Sequence, residues 1–429
     1  MLTKHTRKRI VRILLCILIL YTLIHVLHVM SYFPKPLGKA ESFFSDFERQ
    51  LLFTRAWTNY KIPPFADIGG KGTPSFFYYL FLIPLTKFPL PIVQAFLHVV
   101  NFGLILFSVF IIWKSLVPRK RKSNDIILLV WFFILALNFW PLLEIWTLNK
   151  VEIWEFAAIS GIIFLLPRDK DQLVGFLFAT ATFFKYLPGV LCIYFFAKQR
   201  WRILLSALLT SLVFVMLIMV VFGFDNTLTW LSIIPKITVS HSSFGVEAGS
   251  SPLGDPRASI NAGFQGVITR FFAQGNPSYF PKIPDLKTAE RVGFVIRLLV
   301  AVLIGLYFYR TPSKTLWHQS LDFAIMLSMV ALLAPQFNPQ YAILILPSFL
   351  IGMAFIYYHW KTLGRIYLLT FCSSYMLVGY FLPLGLINHL PQFSPYFPDN
   401  QSFIWWYSTP AIGYVILLLL LLKFRRHAA

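Results

Sequence analysis

Charge is what this chain has least of. Only 13% of its 429 residues are Asp, Glu, Lys or Arg, about half the ~25% of an ordinary soluble domain. Acids are the scarcer sign, 17 against 38 Lys and Arg, for a net charge of +21. In a soluble protein that excess would suggest nucleic acid. Here the basic residues cluster in short loops between apolar runs, as the positive-inside rule requires, and no nucleic-acid partner is expected. Cysteine is nearly absent: Cys16, Cys192 and Cys372 all sit within apolar runs, so neither a disulfide framework nor a thiolate metal site is expected. The scattered histidines (His25, His28, His98, His241, His318, His359, His389) have no metal-ligand spacing, and no structural metal is expected. Phosphate-cradling and dinucleotide-binding glycine motifs are missing too, which argues against nucleotide-driven chemistry.

What remains is apolar. Hydrophobic residues make up 57% of the chain and aromatics 18%, and runs long enough to cross a bilayer recur throughout. The reading is an all-α polytopic membrane protein, residues 1–429 forming one integral membrane domain. Lys4, Arg7, Lys8, Arg9 and Arg12 hold the N-terminus in the cytoplasm. The apolar run that follows reaches about Val29 without a small-residue cleavage site and reads as an uncleaved helix. Residues 34–91 form the first outer loop, and 75–88 are expected to enter the membrane without crossing. Residues 92–117 then span back to Arg119–Lys122, 126–141 go out and 153–167 return. The run after Asp171 ends again in basic residues, so it is read as two half-spans folded about Lys185 and Pro188. Residues 203–222 lead to a large outer loop at 224–290, followed by spans near 291–310, 321–335, 341–358, 366–386 and 405–422. The total is about ten full spans and two half-spans, with both termini inside. On this topology all the acids except Asp125, Asp169, Asp171 and Asp322 face outward. Insertion rules do not demand that bias, so the outer face is the expected seat of chemistry.

The chemistry-bearing residues group in four places. In ESFFSDFERQLLFTRAW (41–57), Ser45 and Glu48 make a capping-box pattern. A helix from Ser45 would align Asp46, Gln50, Phe53 and Trp57 on one face: a carboxylate, an amide and two aromatics at the membrane surface. An acid in a first helical turn is equally what the helix dipole favours. Glu144, Lys150, Glu152 and Glu155 form a second cluster, either at a cavity mouth or as ordinary interfacial charges beside Trp146 and Trp154. Glu152 stands out because it precedes an apolar helix. Lys185, alone in an apolar hairpin, needs a partner; a backbone carbonyl or a lipid phosphate would serve. Gln336, Asn338, Gln340 and Tyr341, between Pro335 and Pro339, can bind sugar hydroxyls or phosphate oxygens, or satisfy a broken backbone. Arg270 in the large loop is a phosphate clamp or a snorkelling surface arginine.

Several of these stretches, in this order, resemble polyprenyl-phosphate-dependent glycosyltransferases of the GT-C superfamily, most nearly glycosyltransferase family 87. The marks are SDFERQ, TPSFFYYLFLIPL, NKVEIWEFAAISGIIFLL, LVGFLFATATFFKYLPGVL with KQRWR, NAGFQGVITRFF and FNPQYAILILP. The resemblance implies a GT-C-like fold, a hexose (mannose) arriving on a polyprenyl phosphate, and an acceptor that is a glycolipid or a lipid-linked glycan. It places the catalytic base at Asp46. Substrate-binding roles fall on Glu48, Gln50, Glu152, Lys185, Arg270, Gln336, Asn338, Gln340 and Tyr341, with an extracytoplasmic site in the plasma membrane. No cofactor is implied, although Asp46 with Glu152 leaves room for a weakly held divalent cation. The rival readings are a transporter or flippase of lipid-linked sugars and a polysaccharide polymerase or ligase. A transporter should show paired internal repeats, and none is seen.

Overall fold

The computed structural model describes residues 4–31, 46–62, 76–117, 125–239, 286–334, 337, 339–379 and 401–428, and among them every regular element is helical. In chain order the α-helices are α1 (Lys4–Ser31), α2 (Asp46–Tyr60), α3 (Phe76–Leu82), α4 (Leu90–Leu116), α5 (Asp125–Leu137), α6 (Trp140–Thr147), α7 (Glu152–Leu165) and α8 (Asp171–Phe184). They continue as α9 (Leu191–Ala197), α10 (Trp201–Phe222), α11 (Phe224–Val239), α12 (Leu286–Arg310), α13 (Leu316–Leu333), α14 (Leu346–Leu363), α15 (Arg365–Val378) and α16 (Gln401–His427).

Five segments among the described residues are long and apolar enough to cross a bilayer: 90–116, 201–222, 291–310, 316–333 and 340–363. Helices α5 and α6, bent by 63°, would together make a sixth. Burial separates inner spans from outer ones. The apolar windows of α13 and of the segment holding α14 are 72% and 78% buried, those of α10 and α12 only 22% and 17%. Exposed Leu205, Leu209, Leu212 and Met216 on α10, with Leu298, Leu299, Val302 and Leu303 on α12, leave two apolar faces turned outward. Such faces belong in lipid, and the chain is a membrane protein.

Fewer helices reach full length than the apolar runs suggested. Helices α7 and α15, expected as full spans, have 14 residues each and rise only ~21 Å against the ~30 Å hydrocarbon core; α8, expected as a half-span, is equally short. Hydropathy measures the run, whereas Asp169 in the left-handed region (φ 52°) stops the turn after α7 and the extended Lys185 stops α8. Two expected outer loops are in fact helical. Residues 140–147 form α6, with Pro141 in its first turn where a missing N–H costs nothing. Residues 224–239 form α11, set off from α10 by Gly223 at φ +86°.

The short segment at 75–88 is α3 followed by a 3-10 turn, Ile83–Lys87. Its aromatic residues tie the bundle together. Phe77 packs on Phe214 of α10 (4.1 Å between ring centres) and Phe184 of α8 (5.3 Å), while Phe76 stacks on Phe222 (4.8 Å) and on Trp230 of α11 (5.6 Å). Helix α2 is anchored to the same segment, since Arg55 donates to the carbonyls of Thr86 (3.2 Å) and Phe88 (2.6 Å). The buried seam of α2 is Phe47, Leu51, Thr54 and Trp57. Gln50 and Phe53 therefore flank that seam rather than form it. Trp57 is common to the buried seam and to the face that carries Asp46 and Gln50.

Candidate active site

Helices α7 and α8 are antiparallel, and α8 with α9 makes a hairpin. Its open end is closed by Arg200, which lies 3.3 Å from Asp169 and 3.5 Å from Asp171. Its tip is at Lys185, where the backbone is extended (φ −159°, ψ 144°) before the 3-10 turn Leu187–Val190. Pro188 cannot donate to a helical ladder, so the chain breaks there and projects the lysine.

That tip meets the first turn of α7. Lys185 Nζ lies 2.6 Å from Glu152 Oε1, and 3.9 Å above the ring of Tyr341 in the 3-10 turn Pro339–Ile345. Glu155 shares the face of Glu152, three residues on. Its side chain is fully buried and neither oxygen has a hydrogen-bond partner. Both acids benefit from the N-terminal end of the helix dipole. Tyr78 of α3 lies within electrostatic reach of Glu152. Two buried carboxylates and one half-buried ammonium thus share one centre. A buried carboxylate without a donor is in its least favourable setting, so a ligand bringing a donor or a cation to Glu155 gains most there.

A second layer braces this centre. Lys150 donates to Gln340, joining the α6–α7 turn to the 3-10 turn that carries Tyr341. Asn149, held left-handed at φ 49°, accepts from Asn101 (3.1 Å), donates to the Gln94 carbonyl (3.3 Å) and meets His98 Nδ1. Trp154 Nε1 donates to Asn101 Oδ1 at 3.0 Å. Gln94 in turn donates to Glu48 Oε1 at 2.6 Å. The network runs from α2 through α4 to the α6–α7 turn, and the beginning of α2 therefore stands at the same end of the bundle as Lys185.

Of the residues singled out from sequence, Glu152, Lys185, Gln340 and Tyr341 come together, and Glu48 is linked to them through Gln94 and Asn149. Gln50 is half-buried one turn into α2. Asp46 is the first residue of α2, two positions before Glu48, and its side chain lies outside the described residues. So do Arg270, Gln336 and Asn338. Lys185 pairs with a carboxylate rather than with a backbone carbonyl. Lys150, Glu152 and Glu155 are buried, so they are not a solvated interfacial cluster. Sequence reasoning passed over Tyr78 and gave Glu155 no role. The signal for Glu155 was present: an acid at i+3 from Glu152, already inside an apolar run. Among the described residues no three His, Cys, Asp or Glu side chains converge as a metal site.

The family model of glycosyltransferase family 87 matches residues 74–339. The chain belongs to that family. As a family 87 glycosyltransferase it transfers a sugar, and the matched stretch contains α3, Glu152, Glu155 and Lys185. Asp46 and Glu48 precede the match, and Gln340 and Tyr341 follow its last residue directly. No curated protein and no solved structure matches the family 87 chain.

Proposed function

We propose that this glycosyltransferase moves a hexose, mannose in our reading, from a polyprenyl phosphate to a glycolipid or lipid-linked glycan at the outer face of the plasma membrane. The observation that carries the reading is the half-buried Lys185 ammonium, set between the buried Glu152 carboxylate and the Tyr341 ring at the tip of the α8–α9 hairpin. A lipid-linked phosphate can meet such a cation with its chain still in hydrocarbon, and a fixed cation there offsets charge that grows as the phosphate leaves. In the step, the acceptor oxygen forms a bond to the anomeric carbon on the face opposite the phosphate. Its proton passes to the Asp46 carboxylate, and the bond from the anomeric carbon to the phosphate oxygen breaks, leaving polyprenyl phosphate and inverted configuration. Glu152 positions Lys185, while Lys150 and Gln340 hold the 3-10 turn that presents Tyr341. Glu48 and Gln50 serve the acceptor side, and Arg270, Gln336 and Asn338 complete the phosphate contacts.

The test is transfer from radiolabelled polyprenyl-phosphate mannose to a membrane lipid extract in liposomes, with and without a chelator. Wild-type protein is expected to transfer, with chelator making no difference. Asp46→Asn, well folded, should lose roughly 10²–10⁴-fold, the usual worth of a general base. Equal transfer by both proteins would remove Asp46 from the mechanism. Passage of the labelled lipid across the bilayer without sugar transfer would point to a flippase instead.

A further inference from the structure

At the end of the bundle opposite Lys185, α9, α12, α13 and α16 converge on one buried acid. Asp322 is fully buried; Arg425 Nε lies 2.7 Å from its Oδ1 and Lys198 Nζ 3.1 Å from its Oδ2. Ser313 Oγ donates to Oδ2 at 2.5 Å, and the two cations also donate to the carbonyls of Thr311 (2.5 Å) and Pro312 (2.7 Å). One carboxylate therefore faces two cations whose side chains are only 10% exposed. The cluster keeps a net positive charge largely out of water, an arrangement that is costly without a counter-ion. Burial holds the Lys198 ammonium below the ordinary lysine range even though Asp322 acts in the opposite direction, so Asp322 does not fully compensate it.

Against this cluster lies a cavity of about 450 Å³, within the ~300–1,000 Å³ of small-molecule sites. Lys198, Arg200, Thr311, Ser313 and Gln319 line it, and among the described residues no carboxylate does. Arg200 lies 3.3 and 3.5 Å from Asp169 and Asp171, and Asp169 is 80% exposed. The cavity is lined by the end of α9, the α9–α10 turn (198–200), the end of α12 and the loop after it, so the helices with apolar outward faces, α10 and α12, begin and end beside it. Its surroundings carry exposed Phe196, Trp201 and Tyr309, amphipathic and apolar rings of the kind that gather at a membrane interface.

We propose that this cavity binds the phosphodiester headgroup of an anionic phospholipid, with the acyl chains lying along α10 and α12. A basic pocket between helices supplies the charge, and the bare helix faces supply the surface for the chains. The site is distinct from the sugar-transfer centre and does not depend on which sugar is transferred.

The experiment uses the full chain in detergent, with bound lipid counted by native mass spectrometry and stability followed by thermal unfolding. Phosphatidylglycerol in mixed micelles is expected to bind and raise the unfolding temperature, whereas phosphatidylcholine and millimolar inorganic phosphate should do neither. Arg200→Gln and Lys198→Gln should each weaken phosphatidylglycerol roughly fivefold, the worth of one interfacial cation. Arg200→Lys should retain binding, and Lys61→Gln, at the other end of the bundle, should leave it unchanged. The proposal is overturned if phosphatidylcholine binds equally, if Arg200→Gln binds phosphatidylglycerol as wild type does, or if inorganic phosphate alone gives the whole effect.

Discussion

Lys185 is bound by geometry to more than one task. Its ammonium satisfies Glu152 at 2.6 Å and rests on the Tyr341 ring, while Glu155 adds a second acid with no donor of its own. Replacing it by methionine strands Glu152, and breaking one side of a buried pair costs about 3–5 kcal/mol. The double change Lys185→Met with Glu152→Met removes both charges and should recover most of that loss. Thermal unfolding in detergent measures the stability; the transfer assay measures the function. We expect the double variant to be nearly as stable as wild type yet inactive, which separates a positioned phosphate-binding cation from a structural ion pair. A stable and fully active double variant would show that the pair serves folding alone. The need for a partner was legible in the sequence because lysine in an apolar hairpin is unfavourable alone. The identity of the partner was not, since nothing local connects FFKYLP to NKVEIWE.

At the scale of elements, the hairpin depends on how closely α8 approaches α10. Gly175 is the reason it can: a Cβ there would fall 2.5 Å from the Ile203 carbonyl oxygen and 2.6 Å from Ser206 Cβ. Neither atom is the end of a flexible side chain, so the helices themselves must part. Gly175→Ala should cost about 1–3 kcal/mol, as overpacking does, and appear as a lower unfolding temperature. Gly175 is ten residues from Lys185, about 15 Å along a helix, so the folded fraction should keep its affinity for donor. Unchanged stability would mean that the two helices sit farther apart than described. The break at Lys185 and Pro188 could be read from sequence because proline and a lone charge both act locally. Helices α6 and α11 could not: PLLEIWT and FDNTLTW carry proline or polar residues that suit loops and helix starts alike.

For the whole molecule, the contact of Arg425 and Lys198 with Asp322 puts the end of α16, the α9–α10 turn and the start of α13 at one end. Glu48, Gln94 and Lys185 mark the other. From the charge asymmetry of the loops we propose that the first end faces inward. In a chain freed of Cys16, Cys192 and Cys372, Lys61→Cys should react with an impermeant maleimide on intact cells. Gln199→Cys and Ala428→Cys should react only after permeabilisation. Labelling of Gln199→Cys from outside would reverse the orientation and move the proposed sugar-transfer centre to the cytoplasmic side.

What the sequence determined by itself is whatever depends on near neighbours: which runs are apolar enough for lipid, where basic residues gather, and where the hairpin must break. Those follow from transfer free energies and backbone sterics acting within one stretch of chain. The tertiary structure alone decided the pairings, because their members are far apart in sequence. Lys185 and Glu152 are separated by 33 positions, Arg425 and Asp322 by 103, Lys150 and Gln340 by 190. Each was one of several polar residues in want of a partner in a medium that offers almost none. Only packing the helices chose which two would meet.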